Sequence, residues 1–539
     1  MNNKIKPTNI FIVLKTACVI LASAFMFSCV SHPDVPENYT QEDKLPEIFP
    51  DYTDVVVPPN IAPLNFLVKN TEETVVRFTY GNTSLTYGEK NKVLIDEKEW
   101  KELLSEAKGN SIKVEVFARN NNEWKAYKSF NISIAEENID QYISYRLIYP
   151  SYVAYEMLSI NQRDLTSFEE KDIYNNEMVQ SPKDNQCINC HSYQNYKTDN
   201  MQFHIRQNLG GTMIVHNGKI QKVDLASDST ISAGVYPSWH PTLSLIAYST
   251  NFTRQAFHTR NKGKIEVIDT KSDLILYDIE KQQTTTISGY SDEMESFPCW
   301  SPKGDMIYYC SAHFENNNDS IPIEAAVFAR YKEIQYDIFR MPFNQKDHSF
   351  GEPELVYEAS ADNMSATFPR VSPDGKYLLF AMAHDGCFHV WHPEADLYMM
   401  DIKSGNVRKL ENVNSDKAES FHAWSSNGRW IVFVSRRDDN NYSRLYIAYI
   451  DKQGKAHKAF ELPQRDPNFY AYFMKSYNVP EFMTEPVKIT PHEFAAAIKN
   501  DAIKTTYQTS GKSRGAQGRV KSVKQELQAD SQKVTTPIQ

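Results

Sequence analysis

FPRVSPDGKYLLFAM, residues Phe368 to Met382, decides the fold. An aromatic-Pro pair leads into Ser-Pro-Asp-Gly, and an apolar strand follows. In that tetrapeptide Pro373 presets φ at the second turn position and Gly375 supplies the permissive last one, so the stretch predicts a β-hairpin. The pattern recurs as YPSWHPTLSLIAYST from Tyr236, FPCWSPKGDMIYYCS from Phe297 and FHAWSSNGRWIVFVS from Phe421, with HPTLS replacing the Gly turn in the first and Asn427-Gly428 serving in the last. A second strand follows three of these hairpins: DLILYDI from Asp273, DLYMMDI from Asp396 and RLYIAYID from Arg444.

The units begin 61, 71 and 53 residues apart, longer than a compact propeller blade of about 40 to 45 residues, so long loops must collect at the rims. These residues resemble the TolB-like, WD40-like propeller repeats of bacterial envelope proteins, whose unit reads W-S-P-D-G before an apolar strand. The resemblance covers Tyr236 to Asp451 and implies a β-propeller. A ring needs more than four blades to protect its strand edges. GGTMIVHNGKIQKVDL from Gly210 supplies one further hairpin and ISYRLIYPSYVAYEML from Ile143 could supply strands of another, giving six blades as the expectation.

The rest of the chain divides around this ring. Short alternating runs between residues 50 and 138, such as TVVRFTY and SIKVEVFAR, predict an Ig-like β-sandwich. One helix interrupts it, with Asp96 as N-cap, Glu99 at the third position, and Trp100, Leu103 and Leu104 on one face. The fold class expected is therefore all-β, a sandwich followed by a TolB-like propeller. The expected divisions are a lipoprotein signal peptide over 1–29, a tether over 30–49, the sandwich over 50–138, a connecting segment with the first propeller strands over 139–232, the propeller over 233–485, a short helix over 486–504 opened by Thr490, and a disordered tail over 505–539.

Lys4, Lys6 and Lys15 precede an apolar run of 13 residues, Thr16 to Ser28, which is an export signature too short to span a bilayer. MFSC ending at Cys29 resembles a relaxed lipoprotein box, and the polar, Pro-rich tether suits a lipid-anchored domain, with plain signal-peptidase cleavage after ASA as the alternative. The expected location is the cell envelope, outside the cytoplasm, with the membrane reached through lipidated Cys29. A net charge of −10 offers no basic stripe for phosphate backbones, so no nucleic-acid partner is expected.

NQCINCHSYQ, Asn185 to Gln194, carries the chemistry. Two thiols three positions apart can add across the vinyl groups of a haem, and a histidine after the second provides an imidazole for the iron. Cys187 and Cys190 are the expected thioether positions of one covalent haem c, and His191 the proximal ligand. With 7 Cys and 14 His in 539 residues, chance supplies roughly 0.002 such matches. The competing readings are a plain disulfide between the two cysteines, a zinc site, which wants a fourth ligand, and a thioredoxin-type pair, which wants a helix start. His204 is the candidate distal ligand, with Met201, Met213 or an open position as alternatives.

YRLIYPSYVAYEM, NQRDLTSFEE, CINCHS, FHIRQNLGGT, WHPEADLY, SRRDDNNYSRLY and LPQRDP together are similar to Bacteroidetes-type envelope lipoproteins in which a TolB-like propeller carries one CxxCH. Propellers with haem c also occur in the large-subunit family of hydrazine synthase, a likeness of architecture alone. The haem motif leads to the expectation of electron transfer or haem-based redox chemistry, with an envelope protein or redox partner. The alternative is a non-catalytic propeller that binds an envelope protein through its rim loops. Two other clusters are read as structural: His384, His389 and His392 beside Glu394 and Asp396, which could also bind a metal, and the ion network of SRRDD, Ser435 to Asp439.

Overall fold

The computed structural model describes residues 32–150, 156–179, 186–259, 263–287, 293–318 and 320–508. The signal segment, Cys29 and the tail beyond residue 508 lie outside these residues. No helix among those described is long and apolar enough to cross a membrane.

Six sheets of four or five strands form the blades. Their inner strands are Ser476–Met483, Cys187–Gln194, Val235–Trp239, Glu293–Trp300, Ser365–Val371 and Glu419–Trp424. Each packs against the next and the sixth packs against the first, so the ring is closed. The expected all-β propeller is what the chain forms, and its blades number six.

The repeat turns explain why the later blades form as read. In the Ser372-to-Tyr377 turn the Ser372 hydroxyl donates to Asp374 Oδ1 at 2.7 Å and accepts from Tyr377 N at 2.9 Å, while Gly375 stands at φ +71°. Ser425 and Asn427 repeat this arrangement in the last unit, at 2.7 Å, with Trp430 N donating at 3.0 Å. Apolar strands follow, and Tyr377–Ala383 and Trp430–Ser435 are buried throughout.

The ring starts earlier than the repeats. Tyr142–Ile148, Ser159–Asp164 and Glu170–Asn175 are strands of the first blade, whose inner strand arrives from Ser476–Met483, so residues from both ends of the ring share one sheet. Residues 187 to 224 make four strands of the second blade, so the segment expected to hold the first propeller strands contributes to two blades.

Two further expectations are corrected. Within the expected tether, Thr40–Gln41 pairs with Lys125 and Ala126 at the sandwich edge, and His32 lies 3.1 Å from Glu99 Oε1, so this part is docked. Past the helix, Ile503–Lys504 adds a parallel strand to the second blade beside Val223 and Asp224. Within the expected tail, Thr506–Gln508 adds one to the third blade beside Gln283 to Thr285. Open strand edges recruit these short polar segments, which carry no periodicity of their own. The helix Pro491–Ile498 begins with the expected capping box of Thr490 and Glu493, and Phe494 meets Phe203 of the second blade at 5.1 Å between ring centroids.

The sandwich combines a seven-stranded and a three-stranded sheet around the helix Glu97–Glu106. Asp96 caps that helix through Lys98 N and Glu99 N, and Trp100, Leu103 and Leu104 are buried as expected. It is joined to the ring by polar contacts: Ser426 N donates to Asp140 at 2.7 Å, Asn65 Nδ2 to the Arg465 carbonyl at 3.0 Å, and Trp430 Nε1 to the Asn138 carbonyl at 3.2 Å.

Candidate functional site in the central channel

Each inner strand carries a bulge at the same place. The inner strand gains one residue over its neighbour there, and the first residue of the bulged pair has φ between +46° and +57°. The six pairs are Cys190-His191, Tyr236-Pro237, Phe297-Pro298, Phe368-Pro369, Phe421-His422 and Val479-Pro480. Bulky residues in the left-handed region cost about 1–3 kcal/mol each, so the surrounding sheets must hold them there. The second half of the haem signature is therefore the second blade's version of the aromatic-Pro pair, inside the ring and facing its channel.

All twelve of these residues line one cavity of about 410 Å³. Four aromatic rings cluster on one side of it, with Tyr236 to Phe297 at 4.5 Å, Phe297 to Phe368 at 4.2 Å and Phe368 to Phe421 at 4.9 Å between centroids. The second and first blades place Cys190 and Val479 where the others place rings. That exchange opens space beside His191. An ion pair from Arg370 to Glu481, 2.8 Å, reaches from the fifth blade to the first.

His191 is 1% exposed and neither ring nitrogen completes a hydrogen bond. Burial lowers its pKa to about 3, with help from the Arg146 and Arg370 charges and against the nearby Ser144 backbone, so the imidazole is neutral. A buried imidazole without partners is costly unless something else ligates it. Cys190 lies beside it on the cavity wall, its thiol pKa raised chiefly by burial.

His204 stands opposite Asn189 on the neighbouring strand, also on the cavity wall, and pairs through Nδ1 with Thr212 Oγ1 at 3.0 Å. Burial lowers its pKa to about 3 as well. Met201 and Met213 are buried and do not line the cavity. Cys187 is 1% exposed and also stands off the cavity; the Arg206 guanidinium donates to its sulfur at 3.4 Å and Arg146 approaches it at 3.9 Å. Both arginines line the cavity, so a single layer of long side chains separates this thiol from it.

Haem c needs two thiols and an imidazole around one plane, a pocket of several hundred Å³, and cationic groups for its two carboxylates. Cys190, His191, the cavity, and the guanidiniums of Arg146 and Arg206 meet these demands directly. Cys187 stands off the cavity behind Arg206 and Arg146, so of the three donors Cys190 and His191 face the space such a group would fill.

The five described cysteines are all free thiols. The CxxC segment is strand, and no α-helix begins next to it among the described residues. Sequence alone does not single out His422, Arg146, Arg206, Arg370 or Glu481, all on the cavity wall. One signal for His422 is present: it replaces the Pro of the repeat, as His191 does.

The remaining clusters resolve differently. Arg437 reaches Glu419 at 3.2 Å and stacks over Tyr446 at 4.2 Å, while Arg436 is buried over Trp391 at 3.3 Å, so SRRDD is structural as read. His389 is tied to Thr367 at 2.9 Å and the Gly386 carbonyl at 3.1 Å. His392 turns instead toward Glu266.

No family model and no curated protein matches the chain. Among solved structures it is similar to an oligogalacturonate lyase in complex with manganese, at 12% identity and TM-score 0.26 over 64% of this chain and 87% of that one. It is also similar to a Mycobacterium tuberculosis puromycin-hydrolysing peptidase, at 11% and 0.34 over 79% and 57%. A third is the Myceliophteria thermophila Cps50 (Swd1) β-propeller domain, at 10% and 0.24 over 69% and 95%.

Proposed function

We propose that the chain is an extracytoplasmic, lipid-anchored propeller whose channel carries one covalent haem c, serving one-electron transfer or haem-based redox chemistry. The observation that carries this reading is His191, an unpartnered neutral imidazole on the cavity wall beside Cys190. Cys187 and Cys190 would hold the group by thioethers and His191 would ligate its iron, with His204 as distal candidate. When bound, haem supplies an iron that changes oxidation state by one electron.

The chain's own residues then have separable tasks. Arg146 and Arg206 orient an anionic ligand edge, the aromatic bulges keep water from one face, and the Arg370–Glu481 pair sits on the channel wall beside them. Thr212 fixes the His204 ring.

Expression with haem-maturation machinery is the test. A Soret band and a covalent haem mass on the Cys187 peptide are expected, both absent from a Cys187→Ala, Cys190→Ala variant. Wild-type protein lacking that mass sinks the reading. Cys29→Ala is expected to release the protein from membranes, and unchanged fractionation would overturn the anchor.

The second reading, a propeller that binds an envelope protein, is favoured by Tyr472 and Met474, 78% and 60% exposed on the segment before the closing strand. Pull-down that depends on these two side chains in protein without haem would select it.

A further inference from the structure

A second donor set lies away from the haem signature. The third blade's strands Leu245–Phe257 and Ile265–Asp278 extend together as a long hairpin that brings Glu266 to the loop between Tyr377–Ala383 and Asp396–Asp401 of the fifth blade. That loop contributes Asp385 and His392, and one ligand atom from each of the three residues lies within 4.8 Å of the others.

Glu266 is 6% and His392 8% exposed. His392 Nε2 stands 2.9 Å from Glu266 Oε2 as an ion pair whose angle completes no hydrogen bond, and Glu266 Oε1 has no hydrogen-bond partner. Gly386 lets the loop come this close, since a Cβ there would lie 3.2 Å from Glu266 Oε1. Glu394 Oε1, 3.4 Å from His392 Nδ1, orients the other side of the ring, as a carboxylate does behind a ligating imidazole.

We propose that Glu266, Asp385 and His392 bind one divalent transition-metal ion of the zinc type, clamping the third blade's hairpin to the fifth blade. Two carboxylates and an imidazole neutralise such a cation and leave a fourth position for water. The site is independent of the haem reading.

The test is titration of zinc chloride into tag-free full chain stripped with chelator, followed by calorimetry and thermal unfolding. One zinc per chain is expected, with a raised melting temperature. Glu266→Gln and His392→Gln, each checked for unchanged circular dichroism, are expected to weaken binding by roughly tenfold or more and to abolish the thermal shift. Asp385→Asn covers the case in which a buried variant fails to fold. A Cys187→Ser, Cys190→Ser variant is expected to retain the site, which separates it from the thiols. Equal zinc binding by wild type and the Glu266 and Asp385 variants would overturn the proposal, and so would loss of binding in the thiol variant.

Discussion

His191, His204, His389 and His422 are all buried, and burial lowers each pKa to about 3 from 6.5. As pH falls below 6.5 the unfolded chain takes up protons that the folded chain refuses. Each histidine then removes about 1.4 kcal/mol of stability per pH unit, down to about pH 3. Asp269 and Asp273, pushed up to about 6 by burial, act oppositely: the folded chain protonates them first and gains stability below pH 6. Because both kinds of group titrate together, a single substitution is needed to isolate one of them. Relative to the haem-free parent, His422→Gln is expected to gain about 1.4 kcal/mol per pH unit as pH falls from 6 to 4. Denaturant unfolding of the two proteins across that range measures the difference, and a constant difference would show that His422 takes up no proton on unfolding.

Two equivalent turns separate backbone strain from crowding. Gly304 and Gly375 stand at φ +70° and +71° in matching hairpins, but a Cβ on Gly304 would collide with the buried His240 ring, while one on Gly375 would meet nothing within 4 Å. Gly375→Ala should cost about 1 kcal/mol, the left-handed penalty alone. Gly304→Ala should cost about 2–3 kcal/mol, because His240 must also leave its 3.0 Å bond to the Gly304 carbonyl. Denaturant unfolding of both variants checks the order. These turns are legible in the sequence from Ser, Pro and Gly at fixed offsets. The second blade's first turn is not, because Asn195 and Tyr196 take φ of +48° and +66° without a glycine or proline to announce them.

Closure of the ring is what sequence reading does not reach. The first blade's strands come from opposite ends of the propeller, Tyr142 pairing with Met483, so no local pattern marks the sheet. The channel is hidden for a related reason: it draws a pair of residues from each blade, and Arg146, Arg370 and Glu481 share its wall only after the ring has shut. Cys190 and His191 are legible because their spacing is a chemical signature. Their place inside the ring follows from the bulge they share with the aromatic-Pro pairs. A chain ending at Lys475 lacks the closing strand Ser476–Met483 and is expected to give no cooperative melting, whereas one ending at Gln508 should melt like the full chain. Calorimetry of the two truncations decides this.

The closing strand also sets a timetable. Ser476 lies 285 residues after His191, so the ring cannot shut until that much more chain has followed the motif into place. Cys187 lies beneath two arginines once the sheets assemble, and its sulfur is open to chemistry from outside only before that happens. Closure and any modification of that thiol would thereby compete, and a chain that closes early would bury the sulfur unmodified.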